Sequence, residues 1–171
     1  LLAVSTSRSE PADKCPILCV LPMFHLAGAQ LAIAAAIATV PLVMHKGFDP
    51  AAILKSIRTD RIDTLSLVPA MWRMLLTHPD AAKTDFSSLK HAAYGASPMP
   101  AGSLRECLAQ LPGTEFRQGY GQTETAGICT LLGPQDHDPD GPNVHRLKSA
   151  GKPILFCELK IIDDAGRELP S

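Results

Sequence analysis

Apolar positions fall in short runs separated by polar breaks rich in proline and glycine, and the runs alternate between strand length and helix length. Ile17 to Leu21 is a short apolar run closed by Pro22, which reads as a buried strand. His25 to Thr39 is longer and alanine-rich and reads as a helix, followed by a strand from Val40 to His45. Asp49 before Pro50 sets a capping carboxylate ahead of a proline at the first helical position, which predicts a helix to about Thr59. Ile62 to Val68 reads as a strand, and Pro69 opens a helix through Thr77. Leu89 to Tyr94 is a further strand, ending at Gly95-Ala96-Ser97. Pro100 to Gln110 is helical with Leu104, Leu108 and Leu111 on one face, and Thr114 to Gln118 is a strand that runs straight into a glycine-containing turn.

This β-α-β-α order implies an α/β fold, a mostly parallel sheet with helices packed on its faces. Residues 133–148 are polar and rich in Pro, Gly and Asp, a loop or boundary. After it, Glu158 to Ile162 and the turn Asp163-Asp164-Ala165-Gly166 read as a hairpin of a separate small β element. The expected division is an α/β subdomain over 1–132, a loop over 133–150 and the start of a β subdomain over 151–171. The chain opens on Leu1 and stops at Glu168-Leu169-Pro170-Ser171, just past a turn, so it is expected to be a piece of a longer protein.

Composition narrows the class. With 46% hydrophobic and 19% charged residues the 171-residue chain is globular rather than disordered. A net charge of −1 gives no field to gather nucleic acid or an anionic membrane surface. The longest apolar run, Leu26 to Met44, approaches the length of a membrane span but is mostly alanine, carries Gln30 and Thr39 and is broken by Pro41. It reads as a buried helix leading into a buried strand, with no transmembrane segment. The five cysteines, Cys15, Cys19, Cys107, Cys129 and Cys157, are scattered and contain no C-x-x-C pair. They read as reduced thiols, and with no signal peptide in view the expected compartment is the cytoplasm.

The densest chemistry lies in Arg117-Gln118-Gly119-Tyr120-Gly121-Gln122-Thr123-Glu124-Thr125. Its glycines let backbone approach a ligand, the Tyr120 ring can stack on a base, the Thr123 hydroxyl can bond a phosphate, and the Glu124 carboxylate can hold a hard cation such as Mg²⁺. Together they suggest an enzyme working on ATP. Ligands of parallel sheets bind past the carboxyl ends of the strands, where Tyr94-Gly95-Ala96-Ser97 and Gly119 to Glu124 both fall. His25 follows a predicted strand end on the same side, whereas His45, His78, His91, His137 and His145 carry no such positional argument. Gly119-x-Gly121 lacks the third glycine of a dinucleotide fingerprint, because Glu124 stands there. Asp136-x-Asp138-x-Asp140-Gly141 copies half a calcium loop, but Leu147 occupies the position of the bidentate Glu, so it reads as a solvated acidic loop. Trp72, among Met71, Met74 and Leu75, reads as core. Ser5-Thr6-Ser7 lacks the glycines of a phosphate loop.

Four ordered motifs, Leu21-Pro22-Met23-Phe24-His25-Leu26-Ala27-Gly28, Tyr94-Gly95-Ala96-Ser97-Pro98-Met99, Gln118 to Glu124 and Gly151-Lys152-Pro153, resemble those of the adenylate-forming enzymes, most of all the fatty-acyl-CoA ligases. The resemblance implies the central part of the large N-terminal domain of such an enzyme. It also implies activation of a carboxylic acid with ATP and Mg²⁺ and transfer to CoA. By that resemblance Tyr120 stacks on adenine, and Gly95, Ala96 and Ser97 present backbone along the adenine and acyl wall. Gly119 and Gly121 frame the same turn, Thr123 bonds the α-phosphate, Glu124 holds Mg²⁺, and His25 positions the acyl carboxylate. The family's phosphate loop, ribose-binding aspartate and C-terminal lysine domain are not among these residues, so the chain by itself is expected to be inactive. Two rival readings stay open. One is an adenylation domain that loads a carrier protein, and the other a non-catalytic module that keeps the fold for binding. Acyl-chain length and oligomeric state are not legible.

Overall fold

The computed structural model describes residues 15–155 and 157–169. One seven-stranded sheet organises them, in the order β2-β1-β3-β4-β5-β6-β7. The strands are β1 (Ile17–Cys19), β2 (Leu42–Met44), β3 (Thr64–Ser66), β4 (His91–Gly95), β5 (Glu115–Gln122), β6 (Gly127–Leu132) and β7 (Lys152–Pro153). β1 to β5 run parallel, and β6 and β7 are antiparallel additions at one edge. The helices are α1 (Leu26–Ala38), α2 (Pro50–Thr59), α3 (Pro69–Leu76) and α4 (Ala101–Gln110).

Strand order explains how the helices are distributed. The chain moves outward from β1 to β2, then reverses across β1 to β3 and continues to β4 and β5. Right-handed crossovers in opposite directions deposit their helices on opposite faces. One face therefore carries α2, α3 and α4 over the main core of Leu18, Ile53, Leu65, Trp72, Leu104 and Phe116. The other carries α1 over a small cluster of Cys15, Ile17, Ala35 and Val40. Trp72 is fully buried, packs at 5.5 Å from the Phe116 ring and donates its indole N–H to the Ala93 carbonyl at 3.0 Å.

Local signals hold where they are chemical. Asp49 accepts from the amides of Ala51 and Ala52 at the start of α2, with Pro50 inside the first turn. The α4 face is as expected, with Leu104 and Leu111 buried and Leu108 packed against the core.

The differences have physical causes. The glycine motif is strand rather than turn through Gln122, because β6 pairs with it and extends β5; the turn proper is Thr123–Thr125. α1 is only partly buried, exposing Ile33 (50%) and Ile37 (71%), because no other described helix covers its face, and β2 lies at the sheet edge. The acidic loop is not uniformly solvated: Asp136 is buried and paired with Arg146 at 2.9 Å, while Asp140 pairs with Arg105. The expected hairpin reduces to one antiparallel bridge, Ile162 to Glu168, closed by the Asp163 carboxylate, which accepts from the amides of Ala165 and Arg167. Ser5-Thr6-Ser7 lies outside the described residues. No described helix is long and apolar enough to cross a membrane.

Candidate functional site

A cavity of about 390 Å³ opens between α1 and the carboxyl ends of β3, β4 and β5. It lies on the α1 face beside the point where the strand order reverses, the usual place for a ligand in an open α/β sheet. His25, Gly95, Ala96, Gly119, Gly121, Thr123 and Glu124 all line it. Ser97 and Tyr120 do not. Successive side chains on a strand point to opposite faces, so Gly119 and Gly121 face α1 while Tyr120 projects away, the residue 56% exposed.

The glycines serve the chain's own packing. A Cβ on Gly95 would come within 2.6 Å of the Gly119 carbonyl oxygen, and one on Gly121 would run into the Gly127 carbonyl. Close approach of β4, β5 and β6 demands them, and a flat cavity floor results. A bulge follows, because the pairing of β5 with β6 shifts register between Tyr120 and Gly121. The opposite wall turns at Ala96, whose φ of 64° is unfavourable for a residue with a Cβ and adds local strain at the end of β4.

Two side chains not anticipated from sequence hold the rim. The Thr125 hydroxyl accepts from the Gln122 amide at 3.0 Å and lies 2.9 Å and 2.8 Å from the carbonyl oxygens of Gln122 and Gly127, closing the turn that carries Thr123 and Glu124. From α1, the Gln30 amide donates to the Ala126 carbonyl at 3.3 Å. His25 is exposed and serves as the α1 N-cap, its Nδ1 accepting from the Ala27 amide at 3.2 Å. That bond leaves Nε2 as the ring atom available to a ligand.

Behind the wall, Tyr94 is buried and its hydroxyl lies 3.1 Å from His137 Nε2. His137 Nδ1 stands 2.7 Å from the Gly133 carbonyl, which can only accept. Nδ1 therefore carries the proton, Nε2 accepts, and the Tyr94 hydroxyl donates. Burial pushes Tyr94 up to about 12 and holds His137 below its ordinary value. No pattern near His137 or Asp136 in the sequence announces these tertiary contacts.

Glu124 is exposed at the rim beside Thr123, with no ion pair among the described residues. No described cluster of three or more His, Cys, Asp or Glu residues could hold a metal alone. A single carboxylate beside a hydroxyl suits Mg²⁺, which is usually held by one or two carboxylates together with substrate phosphates.

The family described as AMP-binding enzyme matches residues 2–171. Among curated relatives, the chain is 38% identical over 150 residues to the fatty acid–[acyl-carrier-protein] ligase ScoC of Streptomyces coeruleorubidus, covering 88% of this chain and 28% of that protein. It is 36% identical over 157 residues to the medium/long-chain-fatty-acid–CoA ligase FadD8 of Mycobacterium tuberculosis, covering 92% and 26%. The chain thus spans little more than a quarter of these relatives' length. Among solved structures, the N-terminal domain of FACL13 from Mycobacterium tuberculosis superposes with a TM-score of 0.81 at 27% identity over 95% of this chain and 40% of that one. O-succinylbenzoate coenzyme A synthetase from Bacillus subtilis, in complex with ATP and magnesium ion, does so at 0.79 and 28% over 96% and 32%.

Proposed function

The chain belongs to the AMP-binding enzyme family, and from that premise we propose that the protein activates a carboxylic acid, of fatty type, as its acyl-adenylate and transfers it to CoA. One observation carries the reading: a single cavity gathers His25 after β1, Gly95 and Ala96 at the end of β4, and Thr123 and Glu124 after β5. In this reading a carboxylate oxygen attacks the α-phosphorus of ATP and pyrophosphate leaves. The thiol sulfur of CoA then attacks the acyl carbon and AMP leaves.

The residues divide the work by face. The cavity takes the acyl chain, and His25 Nε2 at its mouth orients the carboxylate. Ser97 and the exposed Tyr120 ring lie off the cavity wall, where the ring is free to stack on adenine against the backbone of Gly95 and Ala96. Thr123 bonds the α-phosphate, and Glu124 holds Mg²⁺. When bound, the ion neutralises phosphate charge as it develops in the transition state. Positioning and charge neutralisation suffice, with no covalent enzyme intermediate. Within the protein, 1–132 is assigned to the adenylate-binding unit, 133–150 to a connecting loop and 151–171 to the entry of a β unit, whose first strand, β7, pairs onto the adenylate-binding sheet.

Acid-dependent ATP–pyrophosphate exchange by the protein expressed from the complete reading frame tests this. Exchange that requires a fatty acid, followed by thioester formation with CoA, supports the reading. Absence of exchange with every fatty and aryl acid tried refutes it. The similarity to an acyl-carrier-protein ligase supports a second acceptor, and thioester formed only on a phosphopantetheinyl carrier protein would select it.

A further inference from the structure

The cavity floor is graded in polarity from mouth to base. Strand register sets Gly95 beside Gly119 at the mouth and Ser66, Ala93 and Arg117 across the next row; Thr64, His91 and Glu115 stand side by side in the row below, of which Thr64 alone lines the cavity. Leu26, Leu31 and Ala34 of α1 form an apolar roof. An apolar tube with a guanidinium in its inner wall is not what a plain hydrocarbon tail requires.

Arg117 is largely buried, its side chain 14% exposed. One Nη2 hydrogen is donated to Glu115 at 2.7 Å and one Nη1 hydrogen to His91 Nδ1 at 3.1 Å. The same Nδ1 lies 3.5 Å from Glu115 Oε2. A guanidinium has five N–H donors, and the remaining ones have no acceptor among the described residues. The Ser66 hydroxyl in the same row has none among them either. Both residues line the cavity, and no polar side-chain atom of either is at once sealed from solvent and unpaired, so the spare donors are accessible to a ligand. Glu115 has already balanced the charge of Arg117, so what the row offers is hydrogen bonds rather than net attraction for an anion.

Resting on the acid-activation reading above, we propose that Arg117 and Ser66 determine specificity, selecting an acid whose chain carries a neutral oxygen acceptor, a ketone above all, near its far end. Arg117 lies four positions before Gly121 of the mouth along β5, a span of about 13 Å at the rise of an extended strand. This suits a chain of medium length. A second carboxylate is disfavoured, because Glu115 stands against the same guanidinium.

The test compares kcat/KM for pyrophosphate exchange with decanoate, with its analogue bearing a ketone on the penultimate carbon, and with decanedioate, using the protein from the complete reading frame. The expected order is ketone acid first, by about tenfold or more over decanoate, the scale of a hydrogen bond to a charged group, and decanedioate last. Arg117→Met removes the donors and brings the ketone-to-decanoate ratio toward one. Glu115→Gln keeps the donors, removes the opposing charge and raises the rank of decanedioate. Each readout is a ratio on one protein sample, so partial misfolding cancels. Equal use of ketone acid and decanoate by the wild type, or a ratio unmoved by Arg117→Met, overturns the inference and leaves acid activation standing. Absence of exchange with all three acids and with every other acid overturns both.

Discussion

Substitution of the motif glycines yields a graded series whose order follows from the contacts each new Cβ would make. At Gly121 an added Cβ collides with the Gly127 carbonyl oxygen and lies 2.7 Å from the Gly127 carbonyl carbon and 2.8 Å from Ile128 Cα. All three are backbone atoms, so β6 must move as a unit. Overpacking of this kind costs about 1–3 kcal/mol, and with backbone on every side Gly121→Ala belongs near ~3 kcal/mol by the same scale. At Gly119 the added Cβ meets only the Ile128 side chain, at 2.8 Å and 3.1 Å. That side chain can rotate, so Gly119→Ala costs about 1 kcal/mol. At Gly47 nothing lies within 4 Å, and Gly47→Ala is neutral or stabilising by about 0.5 kcal/mol through the unfolded chain. Urea unfolding followed by the fluorescence of Trp72, the only tryptophan, reads all three. At about 2–4 °C per kcal/mol for a chain of this size, Gly121→Ala melts about 6–12 °C lower. Moving β6 also shifts Gly127, whose carbonyl accepts from Thr125, so activity falls further than stability. Unfolding of Gly121→Ala at the same urea concentration as Gly47→Ala would refute the reasoning.

Three further outcomes are expected. Glu124→Gln in the complete protein lowers adenylate formation at least ~10²-fold, the scale of a lost electrostatic stabiliser; wild-type pyrophosphate exchange excludes the metal role. Tyr120→Phe is mild while Tyr120→Ala raises the apparent KM for ATP, since stacking on a base is worth about 1–3 kcal/mol; identical behaviour of the two variants means the ring does not stack. Burial holds His137 neutral in the folded chain where the unfolded chain binds a proton, so stability is full above the ordinary histidine value of 6.5 and is lost as pH falls below it. His137→Gln, compared with wild type by urea unfolding between about pH 7 and about pH 5, flattens part of that loss; an unchanged slope rules it out.

What could be read from the sequence divides along a physical line. Asp49-Pro50, the Leu104 and Leu111 face and the alternation of β1 through β5 are local patterns, governed by capping chemistry and helical or strand period. The glycines are legible as constrained positions, and the constraint the structure displays is the approach of neighbouring strands, which no single strand records. β6 is not legible along the chain, because Gly127 to Leu132 carries no turn signal tying it back to β5; its pairing follows from the Thr123–Thr125 turn and the bulge at Gly121. His137 and Asp136 sit in a loop that looks solvated, and only Tyr94 and Arg146, distant in sequence, make them interior. The polar row across the cavity is the extreme case. Ser66, Ala93 and Arg117 belong to three strands, and nothing along any one of them ties it to the other two. Register alone sets them side by side, and a slip of one residue in any strand would turn its member to the opposite face. Chemistry concentrated within one segment, as in Tyr120 to Glu124, can be recognised by reading along the chain. Chemistry assembled across strands exists only once their register is known.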